Sequence, residues 1–100
     1  MSVGVIVEYH FKPGTQGPAQ VTEQMKQRLP SVTRKADGCE SIYLYVDQED
    51  PNHLLLVERW RSRADYDKYL EWAMAQSSTT SVMDMLATDL KWTYLDDTGA

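Results

Sequence analysis

The run Leu54-Leu55-Leu56-Val57 constrains the fold more than any other stretch of the chain. It is too short for a helix, and as a strand it is apolar on both faces, so it belongs inside a sheet with material on either side. It ends in Glu58-Arg59-Trp60, and Ser62 with Asp65 then forms a capping box that opens a helix. That helix turns Tyr66, Tyr69, Leu70, Ala73 and Met74 to one side. An acid and an indole at a strand's mouth, followed by an aromatic helix, read as the walls of a pocket.

The rest of the chain supplies what such a strand needs. Val3, Val5, Val7, Tyr9 and Phe11 alternate with Ile6, Glu8 and His10, the period-two pattern of a first strand. Gly17-Pro18 opens a helix carrying a stripe of Val21, Met25, Arg28 and Leu29, with a break expected near Leu29 because Pro30 follows. A short turn of helix is expected from Pro30 to Ala36. A second strand is read from Cys39 to Asp47, then a polar loop over Gln48 to Asn52 bearing Asp50-Pro51, and a third strand from His53 to Arg61. Gln76 to Thr80 is a poor helix former, so a last short helix is expected from a second capping box, Ser81 with Asp84. Leu90, Trp92 and Tyr94 alternate in a closing strand. The order β-α-β-β-α-β is the ferredoxin-like arrangement of an α+β protein, a single domain over residues 1–100.

Charge and composition then exclude whole function classes. A net charge of -5 and a pI near 4.8, with no basic run, argue against nucleic acid and anionic membrane as partners. No apolar run approaches the roughly 18 residues of a membrane span. The N-terminal stretch turns polar by Glu8 without a basic n-region, so a cytoplasmic protein is expected. Cys39 is the single cysteine, which leaves no internal disulfide and no thiolate metal site. His10 and His53 sit near strand ends without a metal-binding spacing and read as solvated, so no metal ligand is assigned. No glycine-rich phosphate loop points to a nucleotide or flavin cofactor, and none is expected.

The residues left to carry chemistry are Glu58, Trp60, Tyr66, Tyr69, Trp72 and the strand tyrosines. Glu58 shares a face with Leu54, Leu56 and Trp60, and a carboxylate there needs a partner or a raised pKa. Arg28, Arg59 and Lys35 are the candidate partners. The competing reading is that the aromatic residues are core and dimer contacts.

Gly38-Cys39, Tyr43, Asp50-Pro51, Glu58-x-Trp60-x-Ser62 and the helix after it resemble the antibiotic biosynthesis monooxygenase family, over nearly the whole chain. The resemblance implies a dimeric α+β barrel in which two ferredoxin-like monomers pack sheet against sheet, often exchanging the last strand. It implies oxidation of a small phenolic or quinol-type aromatic by O2 with neither metal nor flavin, in a cavity between sheet and helices. Trp60 matches the tryptophan that lines that cavity, and Tyr66 falls where some members carry a helix tyrosine. Tyr69 stands where many members have histidine, and Leu56 where polyketide-oxidising members keep a polar amide. The first strand offers Val and Ile in place of the asparagine of haem degraders, so haem breakdown is not expected. Within that frame Glu58 is the candidate base, Trp60 the ring that stacks on substrate, and Tyr43, Tyr66 and Tyr69 the candidate donors to an oxyanion. Leu56 and Leu70 complete the substrate-binding set. A non-catalytic barrel that binds an aromatic ligand, in a stress or regulatory role, is the alternative.

Overall fold

Strand β3 (Asp50–Trp60) lies between β2 (Cys39–Asp47) and β1 (Val3–His10), and β4 (Lys91–Asp96) pairs with the far side of β1. Every pairing in this β2-β3-β1-β4 sheet is antiparallel. The run Leu54–Val57 is therefore internal, as its two-faced apolarity requires. Helices α1 (Gly17–Ser31), α2 (Arg63–Met74) and α3 (Ser77–Met83) complete an α+β ferredoxin-like fold. This computed structural model describes residues 2–100, and no helix in it is long and apolar enough to cross a membrane.

The helices cover one face of the sheet. That inner face carries Val3, Val5, Val7 and Tyr9 of β1, Ile42 of β2, and Leu54, Leu56, Glu58 and Trp60 of β3, all buried. Helix α1 meets it with Val21, Met25 and Leu29, spaced four apart on one stripe. Burying one large aromatic such as Trp60 contributes about 3 kcal/mol, so few such residues hold the two layers together. The outer face carries Leu55, Val57, Tyr43 and Tyr45, and the two tyrosines are exposed.

Three boundaries differ from the sequence reading. Helix α1 runs through Pro30 and ends at Ser31, followed by a 3-10 turn over Thr33–Lys35. A proline this close to the C-terminus removes one intrahelical bond, and Val32 N–H closes the ladder on the Arg28 carbonyl at 2.8 Å. Strand β3 begins at Asp50, because the hairpin turns within Gln48-Glu49 and Asp47 pairs with Asp50. Pro51 is tolerated at this end of the sheet, beside the irregularity between Val46 and Asp47.

Helix α3 is the third correction. It occupies Ser77–Met83, with Asp84 as its C-cap, where Ser81 was expected to open a helix. Val82 is buried in the core, and the Thr79 hydroxyl donates to the Ala73 carbonyl at the end of α2. Tertiary burial and this tie outweigh the weak helix propensity of the Ser/Thr run. Beyond it, Leu86 bridges Phe11 and the Ala87 N–H donates to the His10 carbonyl, so the chain extends β1 here where helix was expected.

Gly38 locks the start of β2 to the start of α2. Its φ of +89° is open to glycine, and a Cβ there would stand 2.6 Å from Asp65. The Gly38 carbonyl accepts from Arg61 N–H at 2.7 Å, so the residues flanking Trp60 are held at a fixed distance from β2.

Candidate functional site

The inner face alternates, so Leu56, Glu58 and Trp60 point in the same direction toward the helices. Helix α2 is started by Ser62, whose Oγ accepts from the Asp65 N–H at 3.2 Å while donating to Asp65 Oδ2 at 2.8 Å. That cap sets the helix so that Tyr66 is buried and Tyr69 and Leu70 half-buried against the sheet. Between the sheet and the three helices lies a cavity of about 60 Å³. Glu58, Tyr66, Tyr69, Leu70 and Leu56 border it, with Tyr9 of β1, Arg28 of α1 and Trp92 of β4.

Glu58 is 5% exposed and has no cationic partner among the described residues. The three candidates from the sequence go elsewhere or stay apart: Arg59 faces outward to Glu40 and Asp97, Arg28 donates to Ser78 Oγ at 2.8 Å, and no ion pair joins Lys35 to Glu58. Its hydrogen-bond donor is the indole N–H of Trp60, 2.9 Å from one carboxyl oxygen. Desolvation by burial pushes the Glu58 pKa up to about 7, and the indole hydrogen bond offsets only part of that rise. Among the described residues the second carboxyl oxygen has no hydrogen-bond partner, yet no buried side-chain oxygen is left unsatisfied. That oxygen is thus open to the cavity. A carboxyl titrating near neutrality and facing a cavity can take up or release a proton there.

Trp60 is fully buried, behind Glu58 and not on the cavity wall. Its ring meets Tyr66 edge-on at 5.5 Å and Tyr69 at 5.3 Å, so it orients the carboxyl and both tyrosines. Tyr66 accepts from the Trp92 indole at 2.9 Å, which leaves its own O–H free to donate. Burial raises the pKa of Tyr66 and of Tyr69, so both stay protonated donors at neutral pH. The Tyr69 hydroxyl is 2.6 Å from the buried Thr33 hydroxyl. Tyr43 is not part of this cavity: it lies on the outer face, 53% exposed, beneath the Arg34 guanidinium.

Two aromatic residues that border the cavity, Tyr9 and Trp92, were not named as site residues from the sequence. Tyr9 carried a signal, since its alternation with Val5 and Val7 put it on the inner face. Arg28, read from the sequence both as a stripe residue and as a candidate partner of Glu58, does border the cavity, but it donates to Ser78. Trp92 comes from the last strand, and nothing local announces that β4 returns beside β1.

The two histidines are also corrected. His10 and His53 face each other across β1 and β3, stacked with ring centroids 4.2 Å apart, in place of the solvated positions expected. Pairing between strands more than forty residues apart made them neighbours, which sequence spacing cannot register.

A family model described as Antibiotic biosynthesis monooxygenase matches residues 2–76. No curated protein matches the sequence. Among solved structures, one described as an antibiotic biosynthesis monooxygenase is 24% identical, with a TM-score of 0.71, covering 95% of this chain and 97% of that one. A Mycobacterium tuberculosis protein is 23% identical at a TM-score of 0.72, covering 97% and 95%. A Bordetella bronchiseptica protein, described as a candidate antibiotic biosynthesis monooxygenase, is 20% identical at 0.76 and covers 96% of each chain. At those identities the likeness speaks for the fold.

Proposed function

The chain belongs to the antibiotic biosynthesis monooxygenase family, and from that premise we propose that it oxidises a small phenolic or quinol-type aromatic with O2, its substrate supplying the electrons. The observation that carries this reading is Glu58, a carboxyl with a pKa near 7 whose free oxygen opens to the cavity. Glu58 removes an acidic proton from a phenol or an activated methylene, and the anion passes one electron to O2. The resulting radical and superoxide combine at carbon, and loss of water leaves a carbonyl. For a methylene the balance is CH2 plus O2 giving C=O plus H2O, with the proton taken by Glu58 returned to the departing hydroxide.

The remaining residues suit the anion. Arg28 brings a positive charge to the cavity border, and Tyr66 has an O–H to donate to the developing oxyanion. Leu56 and Leu70 exclude water, which strengthens those contacts. Trp60 is a positioning residue, holding the carboxyl through its N–H. We further propose that two copies pack through the outer sheet faces, where Tyr43, Tyr45, Val57 and Leu95 are exposed. The reading assumes a cytoplasmic protein, where Cys39, a half-buried thiol with its pKa pushed up to about 11 by burial, stays reduced.

The test is oxygen uptake with a panel of anthrone- and hydroquinone-like compounds and no added metal or flavin. Uptake by the wild type, reduced about 100-fold or more in Glu58→Gln, is the expected result. If no compound raises uptake above that of a Trp60→Ala, Tyr66→Phe double variant, the oxygenase reading is wrong. A second reading, a binding protein without turnover, draws on the size of the cavity. About 60 Å³ is less than half of the roughly 150 Å³ that accepts benzene. Oxygenation thus requires the helices to part, and saturable ligand binding with no uptake would favour the second reading.

A further inference from the structure

A second cluster lies on the opposite face of the sheet, toward the β2–β3 hairpin, and the cavity makes no use of it. Glu8 and His10 project from β1 on the outer face, and His53 stands opposite His10 on β3. The Nε2 of His53 is 3.0 Å from Glu8 Oε1, and its Nδ1 is 2.9 Å from Asp47 Oδ2. Donor atoms of Glu8, His10 and His53 all lie within 4.8 Å of one another, and all three residues are partly buried.

The two contacts of His53 cannot both be ordinary hydrogen bonds of a neutral ring. Neutral imidazole has one N–H, so if Nδ1 donates to Asp47, the Nε2 lone pair faces the Glu8 carboxylate. That juxtaposition calls for a positive charge between them: a proton on Nε2 or a metal ion. Among the described residues, Lys91 is the ammonium that pairs with Glu8, 3.9 Å from its other oxygen and largely exposed. It neutralises Glu8 from the far side and leaves the Nε2 side open.

We propose that Glu8, His10 and His53 bind a divalent transition cation of the zinc class, with Asp47 positioning His53. Two imidazoles and one carboxylate are the donor set such an ion prefers, whereas Ca²⁺ and Mg²⁺ select all-oxygen sites. Ligand bonds of 2.0–2.1 Å in a tetrahedron separate donor atoms by about 3.3 Å. The Glu8–His53 edge is already close to that. The His10 nitrogen has roughly 1.5 Å at most to close, a side-chain rotation out of the stack. Asp47 on Nδ1 reproduces the carboxylate–histidine–metal arrangement that fixes a ligand's tautomer and direction. Three protein ligands leave the fourth position to water.

The test uses the full chain without an affinity tag, freed of metal by chelator and titrated with Zn²⁺ by calorimetry. Co²⁺ is followed in parallel by its visible absorption, which reports coordination number. One Zn²⁺ per chain at low-micromolar affinity or tighter is expected. His10→Ala and His53→Ala should each weaken binding at least about 10-fold, and Asp47→Asn by about 10- to 100-fold with the stoichiometry kept. Lack of saturable binding in the micromolar range would overturn the proposal, because a proton then accounts for the cluster. Unchanged affinity in the His10→Ala, His53→Ala double variant would do the same, by locating the metal elsewhere. Should His53→Ala fail to give a native circular dichroism spectrum, His10→Gln decides alone: its affinity must fall.

Discussion

Glu58 is the residue on which the proposed chemistry turns, and its burial leaves a thermodynamic signature. With its pKa raised from 4.5 to about 7, the unfolded chain loses this proton at lower pH than the folded one. Stability from this group is therefore full below about pH 4.5, falls as pH rises, and stays reduced above about 7. A shift of that size corresponds to about 3 kcal/mol. Glu58→Gln removes the titration while keeping an acceptor for the Trp60 N–H. Urea unfolding at pH 5 and pH 8 should show the variant gaining on the wild type by about 2 kcal/mol or more at the higher pH. An equal gap at both values would mean the carboxyl is not desolvated in solution. His53, whose pKa the Asp47 hydrogen bond and then Glu8 hold above the usual imidazole value, also loses stabilising effect as pH rises, through its own raised pKa. Taking the difference between variant and wild type cancels that contribution. The sequence already marked Glu58 as unusual, because an acid within an apolar face is anomalous in any fold. Who would neutralise it was not legible: Arg59 is adjacent but alternates to the other face, Arg28 is thirty residues away, and the partner is an indole two residues on.

At the scale of elements, α2 and α3 behave oppositely. Helix α2 is locally specified: Ser62 caps it, Asp65 answers in the first turn, and Arg61 and Arg63 pair with acids four residues on. Ser62→Ala should cost about 1 kcal/mol in urea unfolding. Because α2 positions Tyr66 and Tyr69, ligand binding should weaken with it. No loss of stability would mean that Asp65 and Arg61 suffice to start the helix. Helix α3 has no such signals, and its N-terminus carries no side-chain cap. It forms because Val82 is buried and Arg28 and Thr79 tie it to the neighbouring helices. A capping box at Ser81 was plausible locally and was overridden by packing. The Arg28–Ser78 hydrogen bond ties α1 to α3, and Arg28 borders the cavity.

Over the whole molecule, the sheet has one covered face and one on which tyrosines and valine stand in water. Tyr43 and Val57 are cross-strand neighbours, and Tyr45 lies opposite Leu55, so the exposed apolar side chains are contiguous across β2 and β3. A patch of this kind on a short chain fits self-association. Sedimentation at micromolar concentration should give a dimer, and Tyr45→Glu should weaken it about 10-fold or more by burying an unpaired charge. A monomeric wild type would rule this interface out. The last strand pairs with β1 of its own chain, so association in this form needs no exchanged segment. Taken alone, the sequence determined the element order, the central position of Leu54–Val57, the inner sheet face that bears Glu58 and Trp60, and the helix that carries Tyr66. Those features rest on period, capping and turn chemistry, which act over a few residues. Only the tertiary structure decided what meets across the sheet and between layers: Trp92 on Tyr66, Arg28 at the cavity, Tyr43 turned away from it, and His10 upon His53. Such contacts join residues tens of positions apart, and their pairing is set by strand register and layer packing, which no local pattern encodes.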